Sequence, residues 1–279
     1  MSKTAIAVVG ASGYSGEELI RLLLRHPNCE IRILTSRQYA GKALSSVFPR
    51  FSSRSDVVFS QPDVAKIAKD CQFAFLALPH GLASEFARPL VEAGVKVLDL
   101  SADFRIKDRE KFKKYYKEDH PAPELLKDAV YGMPEIYREQ IKKAKLVACP
   151  GCYPTSVILP LYPLLKEKLI RPESIIVSSM SGVTGAGRKV DLPYIFPECN
   201  ESLRAYSPVK HRHLPEIEQE LSNAAGIETK INFVPHLAPI NRGIATTIVV
   251  SPSDSFSSEK LSQALKVYEK ESFVRLMSE

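Results

Sequence analysis

The sequence predicts an α/β protein in two lobes: a doubly wound parallel sheet of Rossmann type over residues 1–148, and an α+β catalytic domain over residues 149–279. Three observations predict it. An apolar run at residues 4–9 enters a glycine loop and then an amphipathic run, which is the strand–loop–helix start of a nucleotide-binding sheet. Strand-like and helix-like runs then alternate as far as residue 100. A second strand-to-helix junction, at residues 148–155, carries a cysteine and opens the other half.

The first strand feeds Gly10, Ala11, Ser12, Gly13, Tyr14, Ser15 and Gly16. Glycines at these spacings let the turn tighten, let a pyrophosphate approach the backbone and let the helix pack on the sheet. Gly10, Ser12, Gly13, Tyr14, Ser15 and Gly16 are therefore expected at a dinucleotide. The next strand, residues 30–34, ends in Thr35, Ser36 and Arg37, where a NAD-preferring fold would put an acid. Hydroxyls and a guanidinium suit a 2′-phosphate, so the expected cofactor is NADP(H), with Ser36 and Arg37 on that phosphate.

Strands are expected at residues 57–59, 73–78 and 95–100, and helices at 64–69 and 83–93. Strand ends in a parallel sheet face the ligand crevice. That places Pro79, His80 and Ser101 at the cofactor and Arg105 at the substrate. The charged stretch 107–127 reads as a solvated helical excursion.

At Cys149-Pro150-Gly151-Cys152-Tyr153-Pro154-Thr155 a strand over residues 145–148 gives way to a long apolar helix. Gly151 permits a tight turn, and Pro154 suits a first helical turn because its missing N–H would have no intrahelical partner. Cys152 thus stands at a helix entrance, where the dipole favours a thiolate. Two further readings attach to this stretch: a Cys149–Cys152 redox pair, and a zinc site adding His211 and His213, whose spacing is unusual for such a site. Neither is preferred, and no metal is expected. The internal prolines at 160 and 163 predict a kink.

A strand over residues 174–180 leads into 181–188, where Gly182, Gly185 and Gly187 with two hydroxyls and Arg188 form a plausible anion cradle. If residues 210–213 are a strand, His211 and His213 share one side and Arg212 takes the other, and either histidine suits an acid/base. His211 is preferred, since His213 adjoins the helix start at Pro215. The last third carries residues 233–243, a strand over 244–250 and a helix over 257–270.

Composition narrows the function. The chain has 279 residues, 44% apolar and 25% charged, with 38 Lys and Arg against 32 Asp and Glu. The basic residues are dispersed, which argues against nucleic acid and fits anionic small molecules. No apolar run approaches the roughly 20 residues of a membrane span. Met1-Ser2-Lys3 leads straight into a strand without a signal sequence, so the cytoplasm is expected. Five scattered cysteines do not resemble a disulfide framework.

Taken in order, the glycine loop, Leu78-Pro79-His80-Gly81, residues 99–105, Pro150-Gly151-Cys152-Tyr153-Pro154-Thr155, residues 181–188, His211-Arg212-His213 with Pro215-Glu216-Ile217, and Pro235-His236 with Asn241-Arg242-Gly243 closely resemble the N-acetyl-γ-glutamyl-phosphate reductase family of arginine biosynthesis. The resemblance implies an NADP-binding Rossmann domain and a glyceraldehyde-phosphate-dehydrogenase-like catalytic and oligomerisation domain, in a homodimer or homotetramer. It implies Cys152 as nucleophile in the NADPH-dependent reduction of an acyl phosphate to a semialdehyde, with Arg105, Arg188, Asn241 and Arg242 on the substrate. Reductases of aspartyl or carrier-linked aminoadipyl phosphate, and a non-catalytic nucleotide-binding derivative, are the alternatives. The chain departs from the family pattern in two places. Cys149 stands where the family usually has Asn, and the family continues several dozen residues beyond the position of Glu279, so a last segment beside the nicotinamide is expected to be missing.

Overall fold

The computed structural model describes residues 3–208 and 210–277, which group into two compact units. The first holds residues 1–109 and 119–150, and the second holds 110–118 and 151–279. The sequence reading set a single boundary at 148/149. The charged stretch, read as a solvated helical excursion, contributes Glu110–Glu118 to the second unit, where Phe112 and Tyr116 on one helical face are buried and Arg212 stacks on Tyr116.

The first unit begins with β1 (Thr4–Val9), α1 (Tyr14–Leu23), β2 (Cys29–Thr35) and the short α2 (Leu44–Val47). It continues through β3 (Phe59–Ser60), α3 (Val64–Asp70), β4 (Phe73–Leu76), α4 (Ala83–Glu92) and β5 (Lys96–Asp99). After α5 (Arg109–Tyr116), whose residues from Glu110 onward belong with the second unit, come β6 (Val130–Tyr131), α6 (Pro134–Lys143) and β7 (Leu146–Ala148). The seven strands pair in parallel in the order β3-β2-β1-β4-β5-β7-β6. The direction of winding reverses between β1 and β4, where such sheets bind ligands. β1 is buried along nearly its whole length, as expected of a strand covered on both faces.

The second unit starts with α7 (Cys152–Lys166) and β8 (Ile176–Gly182), followed by the short α8 (Phe196–Cys199) and β9 (Arg204–Ala205). Next come α9 (Leu214–Ala225), β10 (Asn232–Ala238), β11 (Ile244–Val249) and α10 (Ser258–Leu265). The mixed sheet has the order β11-β8-β10-β9, with β8 and β10 parallel and both outer pairings antiparallel. One face, with Val177, Ser179 and Phe233, is buried, and α7 packs against α9, β11 and α10. The other face leaves Ile176, Met180 and Val249 exposed.

α7 runs as one helix through Pro160 and Pro163. Pro163 has no N–H to give to the carbonyl of Leu159, four residues back. The hydroxyl of Tyr268 donates to that carbonyl instead, at 2.7 Å. Among the described residues no helix is long and apolar enough to cross a membrane.

Candidate active site

The chemistry-bearing residues fall into two sets, one in each unit. In the first, Gly10 adopts φ +79°, and a Cβ there would lie 2.4 Å from the carbonyl oxygen of Ala77, so this turn accepts only glycine. A Cβ on Gly16 would meet Ala11 Cα at 2.7 Å, which is the close helix–strand packing expected of the third glycine. At Gly13 a Cβ would meet only the Gly10 carbonyl, at 3.8 Å. The missing side chain therefore leaves room over the loop, at the N-terminal end of α1, where a pyrophosphate would gain from the dipole. The residues present thus fit a dinucleotide.

Other polar residues of this unit hold the loops together. Ser36 is buried, and its hydroxyl lies 2.9 Å from that of Ser12 and accepts from Tyr39 N–H at 3.3 Å, tying the glycine loop to the end of β2. Arg37, next in sequence, is exposed. Ser101, expected at the cofactor, is buried: its N–H and hydroxyl donate to Asp99 at 2.9 and 2.7 Å, and its Oγ accepts from Asp103 N–H at 3.1 Å. Asp103 in turn accepts from the N–H groups of Gly81, Ala83 and Ser84 at 2.7, 3.1 and 3.4 Å, capping α4 and fixing the loop that carries Pro79 and His80. Arg105, expected at the substrate, is tied to the backbone. It is buried, and its Nε and Nη2 donate to the carbonyls of Cys149 and Leu100, each at 2.7 Å.

Burial leaves a mark on two acids here. It pushes Asp99 up to about 7, with the charge of Asp103 adding to the effect and the Ser101 hydrogen bonds opposing it. It pushes the Cys149 thiol up to about 12, with Asp99 contributing, so this sulfur stays protonated at neutral pH.

In the second unit Cys152 is exposed and is the first residue of α7. Gly151 caps the helix with extended backbone, and its carbonyl accepts the N–H and the hydroxyl of Thr155 at 3.0 and 2.9 Å. The Gly151 N–H donates to Oε1 of Glu216 at 2.8 Å, a fully buried carboxylate on α9. Sequence reasoning quoted Glu216 without giving it a role; a Glu one turn after His213, on the apolar side of an amphipathic helix, was the available signal.

The histidines do not lie on a strand. Turn hydrogen bonds from Lys210 N–H to the Ser207 carbonyl and from Leu214 N–H to the His211 carbonyl fold the segment, so both imidazoles come together with ring centres 4.9 Å apart. Arg212 turns away and stacks on Tyr116 at 5.4 Å. Burial, with His213 and Arg212 adding positive charge nearby, pushes His211 down to about 3, so it is neutral at physiological pH.

The glycine-rich turn and the Asn241–Arg242 turn are laced together. Val183 and Thr184 N–H groups donate to the carbonyls of Ile240 and Asn241, and a Cβ on Gly182 would lie 2.8 Å from Arg242 N. Gly187 takes φ +77°, and Arg188, Asn241 and Arg242 are all exposed. A Cβ on Gly185 would sit 3.3 Å from Ser181 Oγ. No disulfide joins the cysteines, and no metal-ligand cluster of three His, Cys, Asp or Glu occurs among the described residues.

Comparison with known proteins agrees with this layout. Residues 5–144 match the semialdehyde dehydrogenase NAD binding domain family, and residues 152–279 the semialdehyde dehydrogenase dimerisation domain family. The chain is 50% identical to N-acetyl-gamma-glutamyl-phosphate reductase of Akkermansia muciniphila, over 99% of its own length and 81% of the relative's. It is 47% identical to the reductase of the same name from Syntrophobacter fumaroxidans, over 97% and 79% of the two chains. In fold it is similar to aspartate semialdehyde dehydrogenase II of Vibrio cholerae, with a TM-score of 0.69 at 17% identity over 95% of this chain and 79% of that one. The Candida albicans aspartate semialdehyde dehydrogenase with NADP gives 0.68 at 20% identity, over 95% and 76%.

Proposed function

This chain belongs to the N-acetyl-gamma-glutamyl-phosphate reductase family, and from that membership we propose that it reduces N-acetyl-γ-glutamyl phosphate to N-acetylglutamate 5-semialdehyde, with release of phosphate, in arginine biosynthesis. The observation that carries the proposal is Cys152, exposed at the first position of α7 while Cys149 stays protonated.

The Cys152 sulfur attacks the acyl carbon; the carbon–oxygen bond to phosphorus breaks, phosphate leaves, and a thioester remains on the enzyme. Backbone N–H groups at the start of α7 are suited to the developing oxyanion. A nicotinamide cofactor held at the Gly10–Gly16 loop would supply the hydride that reduces this thioester. Expulsion of the Cys152 thiolate then yields the aldehyde and restores the nucleophile. Cys152 reacts as the thiolate that the helix entrance favours, and His211 lends its proton to the substrate oxygen as charge develops there and recovers it when that charge collapses, with His213 orienting the substrate. Arg188, Asn241 and Arg242, exposed on laced turns, are assigned to the phosphate and carboxylate groups of the substrate.

NADP(H) is the proposed cofactor, held by the loop from Gly10 to Gly16 with Pro79 and His80 nearby, and by Gly182, Gly185 and Gly187. Exposed Arg37, with no acid at the end of β2, supports the 2′-phosphate preference. The proposed assembly is a homodimer or homotetramer, in which a second copy covers Ile176, Met180 and Val249. The proposed compartment is the cytoplasm, where thiols stay reduced.

Reverse turnover with N-acetylglutamate semialdehyde, phosphate and NADP tests the reaction. The expected result is a rate well above that with aspartate semialdehyde. Equal rates, or no reduction of NADP with either, would overturn the substrate assignment.

A further inference from the structure

Tyr206 has no part in the chemistry described so far, yet its hydroxyl joins the nucleophile's helix to His211. The inference rests on the reading of His211 as the acid/base. Five groups of the second unit form one directed chain of four hydrogen bonds. The backbone N–H of His213 donates to His211 Nδ1 at 3.1 Å, so Nδ1 carries a lone pair. A neutral imidazole then has its only proton on Nε2. Nε2 lies 3.4 Å from the Tyr206 hydroxyl, which must accept this proton because it cannot donate to a protonated nitrogen. Tyr206 in turn donates to the Tyr153 hydroxyl at 3.0 Å, and Tyr153 donates to the carbonyl of His236 at 3.3 Å. Reversing any link would oppose two protons or two lone pairs, so the backbone groups at the two ends fix every proton between them.

The packing holds this arrangement in place. The His211 ring meets Tyr153, Tyr206 and Phe233 edge to face, at 5.2, 5.5 and 5.6 Å between centres. Tyr153 is fully buried at the second position of α7. Burial raises both phenols, and a charge on Cys152 raises them further, so their protons remain through the catalytic range. The titratable groups around His211 are His213 and Arg212, which disfavour its protonation, together with the two phenols.

We propose that Tyr206 is a positioning residue for proton transfer: it holds His211 as the Nε2–H tautomer and, through Tyr153, ties that imidazole to the helix that presents Cys152. The 3.4 Å contact is the longest in the chain, and such contacts rearrange most readily when substrate binds. Nε2 is therefore the nitrogen that exchanges Tyr206 for a substrate oxygen, while Nδ1 stays fixed on the backbone.

Nitrogen NMR of the imidazole-labelled protein at neutral pH, together with reverse-direction kinetics of Tyr206→Phe and His211→Asn, tests the proposal. Wild-type His211 should carry its proton on Nε2. Tyr206→Phe should lower kcat by about 10-fold with KM within about threefold, and its Nε2 proton should exchange faster with water. A role limited to stability would leave kcat and the exchange rate of the folded protein unchanged. A proton on Nδ1 in the wild type overturns the proposal even if Tyr206→Phe does not fold, as does a Tyr206→Phe kcat within twofold of wild type. Loss of about 100-fold in His211→Asn beside an unimpaired Tyr206→Phe removes this inference alone. Full activity in His211→Asn removes the acid/base reading beneath it as well.

Discussion

Oε1 of Glu216 accepts the backbone N–H of Gly151 at 2.8 Å, so a buried carboxylate on α9 fixes the residue that immediately precedes the proposed nucleophile. Glu216→Gln keeps an acceptor of the same reach and should fold normally. Glu216→Ala leaves a buried N–H without its acceptor and should lose about 1–3 kcal/mol. Urea unfolding of the two variants checks this, and equal losses in both would mean that the negative charge, and not the hydrogen bond, matters.

Cys152 and Cys149 should differ sharply in reactivity. A thiol held at about 12 is thiolate in only about one molecule in 10⁵ at neutral pH. Mass spectrometry after brief alkylation, or after trapping with substrate, should find the adduct on Cys152. It should vanish in Cys152→Ser and persist in Cys149→Asn; persistence in Cys152→Ser would sink the assignment.

Arg37→Ala should cut the preference for NADP over NAD by about 10-fold or more, through loss of a charged contact to the 2′-phosphate. Titration of both cofactors measures it. An unchanged ratio would place the discrimination elsewhere.

Asp99 gives the stability a pH dependence of defined sign. Its folded value of about 7 lies above the reference 3.8, so between those pH values the native state keeps a proton that the unfolded chain has lost. Stability should therefore fall as pH rises through this window, by at most about 1.4 kcal/mol per pH unit, and level off above it. Asp99→Asn removes this dependence, so its unfolding free energy should gain on wild type from pH 4 to pH 7. Parallel curves for the two proteins would show that Asp99 ionises normally.

The first unit was legible because its signals are local: an apolar run, three glycines and a helix identify β1 and α1 without reference to distant residues. Cys152 was legible for the same reason. Glu216, Tyr153 and Tyr206 were not, since their partners lie 65, 83 and 53 residues away and no periodicity encodes those pairings. Ser101 and Arg105 show the same limit: polar residues at strand ends suggest a ligand, and their bonds to Asp99 and to two backbone carbonyls do not show in the local sequence. The conditional strand reading of residues 210–213 does not apply, because i to i+3 turn bonds on either side outweigh a short alternating pattern.

The hydroxyl of Tyr268, bonded to the Leu159 carbonyl that Pro163 cannot serve, has a consequence for the order in which the protein is made. The two residues are 109 positions apart. On a ribosome adding about 5–20 residues each second, the helix bearing Cys152 would wait at least about 5 seconds for its missing donor. Until then the Leu159 carbonyl depends on water, so the nascent nucleophile rides on a helix whose middle turn gains its protein donor only when the segment around Tyr268 arrives and docks.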